Sequence, residues 1–365
     1  MPKIQIITLQ NVANYGSVLQ AVATQKLFEG LDFDVEFYNY KRKESLTLLA
    51  RFKNNMNKQG FKGIIKSLLW TPSWISENRI FPKFLKKYLN VIPQVVTENE
   101  DFKKLSLNAD VYCTGSDQTW NSGWNNGILP PLFLDFVPQG KKHIAYAASF
   151  GKNKLENSEK EETKKYLSKY AFISVREESA VEICRDLGIN AIQVLDPTLQ
   201  IDSDFWRKFS KPVMYKRYCL LYQLNTNREF DRFAVEFCKR KGLKLIRFCH
   251  RLDKMFLPAD VHLPMPPVED FISYIDNADF VLTDSFHCSA FSSNLNKQFL
   301  SFFPEYGGRI ESLLNLLHLN DRHIEDLNDV KKYCSLPDID YTEANGILNK
   351  ERDKAFSLLQ KALVE

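Results

Sequence analysis

Closely spaced cysteines are missing from this chain. Its seven cysteines are scattered over 365 residues and none forms a CxxC pair. That argues against a disulfide framework or a cysteine zinc site, and for reduced, buried thiols in a cytoplasmic protein. No apolar run approaches the ~20 residues of a membrane span. The run Ile4 to Leu9 is strand-length and leads into Gln10-Asn11 without a cleavage-like tail, so no secretory leader is expected. Neither sign of charge dominates. Lys and Arg number 49 against 45 Asp and Glu, and a net +4 is too mild to argue for nucleic acid as a partner. A GxGxxG loop is also lacking, which weakens a dinucleotide reading. No dense carboxylate cluster calls for a metal, so chemistry without metal or cofactor is expected.

What is present is a repeated alternation of apolar strands and helices. With 44% hydrophobic residues and this length, two domains are expected. Lys3–Leu9 reads as a buried strand, Tyr15–Glu29 as a helix stopped by Gly30, and Asp34–Tyr40 as the next strand. Ala109–Thr114, His143–Phe150, Ala171–Val175 and Ile192–Leu195 continue the pattern. Residues 198–216 read as a connection. Tyr218–Leu224 restarts the pattern, with a helix at Arg228–Lys241 and a strand at Leu243–Cys249. Pro258–Pro267 reads as a proline-rich loop, and Tyr341–Val364 as an amphipathic final helix that docks on the body. The expected fold is α/β, with two Rossmann-like doubly wound domains facing a cleft, at 1–203 and 204–365. A homodimer is the base expectation for assembly.

Residues 41–87 differ from the rest. They carry twelve Lys or Arg against Glu44 and Glu77, which is +10, leaving −6 (4 − 10) for the remainder. Trp70 and Trp74 lie there among Leu68, Leu69 and Ile75. Two readings stand: solvated helices with a packing patch, or a basic aromatic surface for anionic lipid or a lipid-diphosphate substrate at a membrane's inner face.

The richest stretch for chemistry is Phe280–Phe303: strand, polar corner, helix, strand. Thr283-Asp284-Ser285 forms the corner, and His287 falls in the first turn of the helix. Open α/β sheets place ligands at such corners, and helix amino termini favour anions. A lone histidine here can equally be a cap or a satisfied core residue. A second corner, Gly115-Ser116-Asp117-Gln118-Thr119-Trp120-Asn121, holds hydroxyl-binding groups beside Trp120 and Trp124, the inventory of a sugar site; an Asx-type turn is the plainer reading. Arg176 ends a core strand beside a helix amino terminus, where the dipole is unfavourable, so it needs an anionic partner such as Glu177. His250-Arg251 ends another strand.

Taken in order, Asn14-Tyr15-Gly16-Ser17 with Leu19-Gln20, Gly115-Ser116-Asp117-Gln118 with Trp120, Ser174-Val175-Arg176-Glu177 with Ser179, Leu195-Asp196-Pro197-Thr198 and Thr283-Asp284-Ser285-Phe286-His287 resemble the polysaccharide pyruvyl transferase family, from about residue 3 to about 322. The resemblance implies two Rossmann-type domains arranged as in GT-B glycosyltransferases. It also implies transfer of a pyruvyl group from phosphoenolpyruvate onto two sugar hydroxyls as a ketal, in cell-surface polysaccharide synthesis. On this reading His287 is the donor-site histidine and general acid or phosphate ligand, and Arg176 holds the donor. Ser285 stands where the family often has arginine, and Arg309, after Gly307-Gly308, replaces that charge; Phe286 completes the donor side. Asp117 is a base or hydroxyl anchor. Asn14, Tyr15, Ser116, Asp117, Gln118 and Trp120 form the acceptor side, facing a sugar that can be lipid-diphosphate-linked. The alternatives are a glycosyltransferase using a nucleotide sugar, and a non-catalytic glycan- or anion-binding protein on the same fold.

Overall fold

The structure is a computed structural model describing residues 1–303 and 308–364. Its first sheet holds seven parallel strands: β1 (Lys3–Ile7), β2 (Asp34–Tyr40), β3 (Val91–Val96), β4 (Val111–Thr114), β5 (Lys142–Ala148), β6 (Phe172–Val175) and β7 (Ile192–Gln193), in the order β3-β2-β1-β4-β5-β6-β7. A second sheet follows: β8 (Tyr218–Tyr222), β9 (Lys244–Cys249), β10 (Val261–Pro264), β11 (Phe280–Thr283) and β12 (Phe299–Ser301), ordered β10-β9-β8-β11-β12 and again parallel. The central strands are near-continuous apolar runs because helices cover both faces.

Two of these strands correct the reading from sequence. The stretch Pro258–Pro267 is not all loop: β10 pairs with β9, Val261 against Ile246. β3 was not anticipated. Both are edge strands, where Pro93 and Pro264 cost no central ladder bond. The connection at 198–216 contains two short helices, Pro197–Gln200 and Ser203–Arg207.

In each sheet the strand order reverses between two neighbours, β1 and β4 in the first and β8 and β11 in the second. Loops diverge there and leave a crevice beyond the strand carboxyl ends. The helix after β1, Tyr15–Glu29, starts at Asn14, whose side chain accepts from Gly16 N (2.9 Å) and Ser17 N (3.2 Å). It is buried nearly all round, so it lies inside the molecule rather than on its surface. Its Tyr15 enters the second domain's core, packing edge-on to Phe248 (4.9 Å), and its hydroxyl donates to the Pro266 carbonyl (2.7 Å). One apolar core therefore runs through both sheets. The final helix, Thr342–Val364, returns to the first sheet, where Lys142 Nζ donates to the Ala362 and Leu363 carbonyls (3.1 and 3.2 Å).

Candidate active site

The two crevices face each other, and their side chains meet in one buried cluster. From the first domain comes Asp117, just beyond β4. Its backbone is left-handed (φ 81°), as is that of Ala147 in β5 (φ 51°). The β5–β6 register shifts between Ala145 and Ala148, and Asp117 bridges to Ala148. A bulge with two strained non-glycine residues at a strand end re-aims side chains, and the Ala147 N–H is held by Ser174 Oγ (3.1 Å). Asp117 thereby accepts from the Ser17 hydroxyl on the first helix and from Arg176 Nη2 (3.2 Å).

Arg176, at the end of β6, is the centre. Its side chain is fully enclosed, with Nη1 on Asp196 Oδ2 (2.8 Å) and Nε 3.7 Å from Glu177. Asp196 ends the first domain's last strand region and caps the Pro197–Gln200 helix. Its Oδ1 accepts from Thr198 N (2.9 Å) and Oγ1 (2.7 Å), and its Oδ2 also takes the Ser116 hydroxyl (3.2 Å).

From the second domain, the helix Phe286–Asn294 is capped by Ser285, whose Oγ accepts from Cys288 N (3.4 Å). His287, in its first turn, brings Nε2 to 3.8 Å from Asp196 Oδ2; that nitrogen has no hydrogen-bond partner among the described residues. The other face of the ring lies on Gly16. A Cβ there would sit 2.1 Å from Nδ1, so only glycine admits this approach. Phe286 packs beside both guanidinium groups, its centroid 5.0 Å from Arg176 Cζ and 5.5 Å from Arg309 Cζ. Arg309 opens the helix Arg309–Leu316 and reaches across to the first domain, where the Gln118 carboxamide, assigned with its oxygen toward Arg309, accepts from Nη2 (2.6 Å).

Burial and charge oppose each other here. Burial raises the Asp117 carboxyl, but Arg176, then His287, the Ser17 hydroxyl and Arg309 hold it well below the usual range. Asp196 is likewise lowered against burial, by His287, Arg176 and Thr198. Burial, helped by Arg176 and Arg309, depresses His287 to about 4 despite the carboxylates, so it is neutral near pH 7. Burial and the neighbouring Arg176 pull Arg309 down to about 10, still cationic.

A cavity of about 310 Å³ opens beside the cluster, lined by Arg309, Lys152, Gly308, Phe286, Asn225 and Asp284 among others. A groove of about 380 Å³ lies beyond the Asn11-Val12-Ala13 turn, lined by Trp70, Trp74, Trp124, Arg42, Lys58 and Asn126 among others.

Several expected site residues thus come together: His287, Arg176, Asp117, Ser116, Gln118, Phe286 and Arg309. Others are corrected. Tyr15 is wholly buried with its hydroxyl engaged, so it is a domain clamp and not an acceptor contact. Trp120 stacks on Phe133 (5.4 Å) and donates to the Leu132 carbonyl (3.2 Å), leaving Trp124 as the exposed ring of that loop. Of the expected residues only Phe286 and Arg309 line the cavity; His287, Asp117, Ser116 and Gln118 lie behind them, and Arg176 is enclosed by three carboxylates and Phe286. Asn14 and Ser285 act as helix caps. His250 is half-buried beside Tyr222 (6.0 Å), and Arg251 pairs with Asp253 (2.9 Å), away from the cluster. Gly307 lies outside the described residues. Asp196, Ser17, Gly16 and Lys152 were not singled out from sequence as site residues. Asp196-Pro197 at a strand end was their readable signal, given that a strand-end arginine needs carboxylates.

Fold and site together define a protein of two Rossmann-like α/β domains in the GT-B arrangement, with charged chemistry at the facing strand ends. Residues 14–302 match the polysaccharide pyruvyl transferase family, and the chain belongs to that family. Comparison with curated proteins finds no match. Among solved structures, the fold resembles the UDP-GlcNAc 2-epimerase of Methanocaldococcus jannaschii in complex with UDP-GlcNAc and UDP, at 13% identity and TM-score 0.50, covering 100% of this chain and 99% of that one. It also resembles the UDP-GlcNAc 2-epimerase of Neisseria meningitidis (10%, TM-score 0.46, 100% of both chains) and an E. coli heptosyltransferase (11%, TM-score 0.39, 83% and 89%). These likenesses concern the fold alone.

Proposed function

We propose that this protein transfers a pyruvyl group from phosphoenolpyruvate to two hydroxyls of a sugar in a cell-surface polysaccharide precursor, closing a cyclic ketal. The observation that carries this reading is the cluster His287–Asp196–Arg176–Asp117. It joins both domains beside a cavity whose cations, Arg309 and Lys152, suit a donor bearing a carboxylate and a phosphate.

In the free protein His287 is neutral. A polyanionic donor beside it raises its proton affinity, so the imidazole gains a proton as the donor binds. That proton goes to the methylene carbon and makes the methyl group. A first sugar hydroxyl bonds to the resulting cationic carbon. The carbon–oxygen bond to phosphate then breaks, and a second hydroxyl closes the ketal. Of the two hydroxyl protons released, one replaces that of His287 and one leaves with phosphate. Asp117, held well below the carboxylate range, is a poor base, and its role is to anchor an acceptor hydroxyl. Arg176 is a positioning residue that sets both aspartates. The Trp-lined groove on the first domain suits the sugar chain of the acceptor.

The test is phosphate release from phosphoenolpyruvate with galactose-, glucose- and mannose-type acceptors, wild type against His287→Ala. Acceptor-dependent release lost in the variant supports the reading. Retained release in His287→Ala refutes the role of His287. Thermal stabilisation by a UDP-sugar and not by phosphoenolpyruvate moves the assignment to a nucleotide-sugar glycosyltransferase.

A further inference from the structure

The basic insertion is a helical hairpin. The helix Leu48–Tyr88 breaks at Gly60 (φ 54°) and folds back on itself. Arg51 Nη1 meets Glu77 Oε2 (2.6 Å), Asn55 Nδ2 donates to Ser67 Oγ (3.1 Å), and Gly63 lies on the Asn55 carbonyl, where a Cβ would sit 2.0 Å from it. The base is fixed to the second domain: Leu252 N donates to Ser73 Oγ (3.0 Å), and Arg251 lies over Trp70 (4.6 Å). The tip stands in solvent: residues 56–62 are exposed, and nothing lies within 4 Å of a Cβ built on Gly60.

Along the outer arm, Phe61, Ile65, Leu68 and Leu69 follow helical spacing, and they are 74, 46, 63 and 69% exposed. The adjoining short helix, Leu252–Phe256, adds Phe256 at 91%. Large apolar side chains left this bare mark a surface that something else covers. The exposed charges on the helical arms beside them are basic. Lys53, Lys58, Lys62 and Lys66 are on the same hairpin, and the acids of 41–87 are Glu44 and Glu77, the second being buried against Arg51. The segment is +10 on a remainder of −6, so the molecule is polarised hairpin-first.

We propose that this hairpin docks the protein on an anionic lipid surface, with Phe61, Ile65, Leu68 and Leu69 entering the headgroup boundary and the lysines meeting lipid phosphates. A second copy is a poorer occupant, because a two-fold contact sets this cationic face against itself. The inference does not depend on pyruvyl transfer.

The test is co-sedimentation of the full chain with vesicles of phosphatidylglycerol and phosphatidylcholine, and of phosphatidylcholine alone. The wild type should pellet with the anionic vesicles and be released by salt. The variant Phe61→Ser, Leu68→Ser, Leu69→Ser changes only exposed side chains and should keep the melting midpoint while losing at least about tenfold in partition. Lys53→Gln, Lys62→Gln, Lys66→Gln should lose a similar factor on anionic vesicles only. No pelleting of the wild type, equal pelleting by all three proteins, or equal pelleting with and without phosphatidylglycerol overturns the proposal. A concentration-dependent dimer abolished by the serine variant, without vesicle binding, assigns the face to a second copy instead.

Discussion

The cluster between the sheets and the hairpin at Leu48–Tyr88 both gather basic side chains, under opposite conditions. The Arg176 side chain is shut off from water, and its charge is met by Asp117 and Asp196 within hydrogen-bond reach and by Glu177. Lys53 and Lys62 stand in solvent, with no carboxylate at salt-bridge distance among the described residues. A buried cation is held by its partners and makes them into a rigid frame. An exposed cation contributes little to stability but keeps its field for something outside the molecule. The two regions should therefore respond to mutation in opposite ways: the first through folding, the second through binding.

The sharpest break is Arg176→Met. It leaves Asp117 and Asp196 buried without their cation, and removing one partner of a buried ionic network costs about 3–5 kcal/mol. Chemical unfolding of this variant against Arg309→Met makes the contrast within one site. Arg309 lines the cavity and meets no carboxylate at salt-bridge distance among the described residues. Its loss should cost far less stability and instead remove stabilisation by phosphoenolpyruvate. Equal destabilisation by the two variants would show that Arg309 is also a frame residue.

Next in size is a pH effect. The folded-state affinity of His287 for a proton is depressed, from the ordinary 6.5 to about 4. Between those values the unfolded chain binds the proton and the folded one does not, so stability falls as pH drops from 6.5 to 4, by at most about 3 kcal/mol from this group. His250, lowered to about 3, adds to the loss in the same window, while Asp284 and Glu77, raised by burial, oppose it. The difference between wild type and His287→Ala isolates the one group. The variant's stability should decline less over pH 6.5 to 4, and parallel curves would mean that His287 is already protonated in the fold.

Gly16→Ala tests a close approach between the domains. Its methyl group would overlap the imidazole, so either the ring turns or the first helix shifts. Misplacing a reacting group by about 1 Å costs on the order of a hundredfold, about 2.7 kcal/mol in barrier height. Turnover should fall by that factor with a cooperative unfolding transition retained. Unchanged turnover would separate the Gly16 contact from the chemistry.

What could be read in advance divides along the same line between local and distant causes. The helices Tyr15–Glu29 and Arg228–Lys241 were legible because their ends are local: Asn14 caps one, and Gly242 in the left-handed region stops the other. β3 and β10 were not, since an edge position that tolerates proline depends on strand order. In the site, His287, Arg176 and Asp117 stood out as polar residues at strand ends. That Tyr15 is spent on the Pro266 carbonyl, 251 residues away, could not be read from its neighbours in sequence. Nor could the enclosure of Arg176, which depends on Asp117, Asp196 and Phe286 arriving from three separate strand ends.

The smallest expected effect is on the hairpin side of the comparison. Lys53→Gln, Lys62→Gln, Lys66→Gln removes three charges from a surface where each is solvated. Lys66 also lies 4.4 Å from the Trp70 ring, a contact that at an exposed site is worth about 0.5–1 kcal/mol. Removing like charges from a +10 segment relieves repulsion of a similar size. The two oppose each other, so the unfolding free energy should move by less than about 0.5 kcal/mol. A loss of 2 kcal/mol or more would mean that the lysines hold the hairpin together as Arg176 holds the cluster. The hairpin's cations would then be structural, and lipid docking would have to rest on the apolar stripe alone.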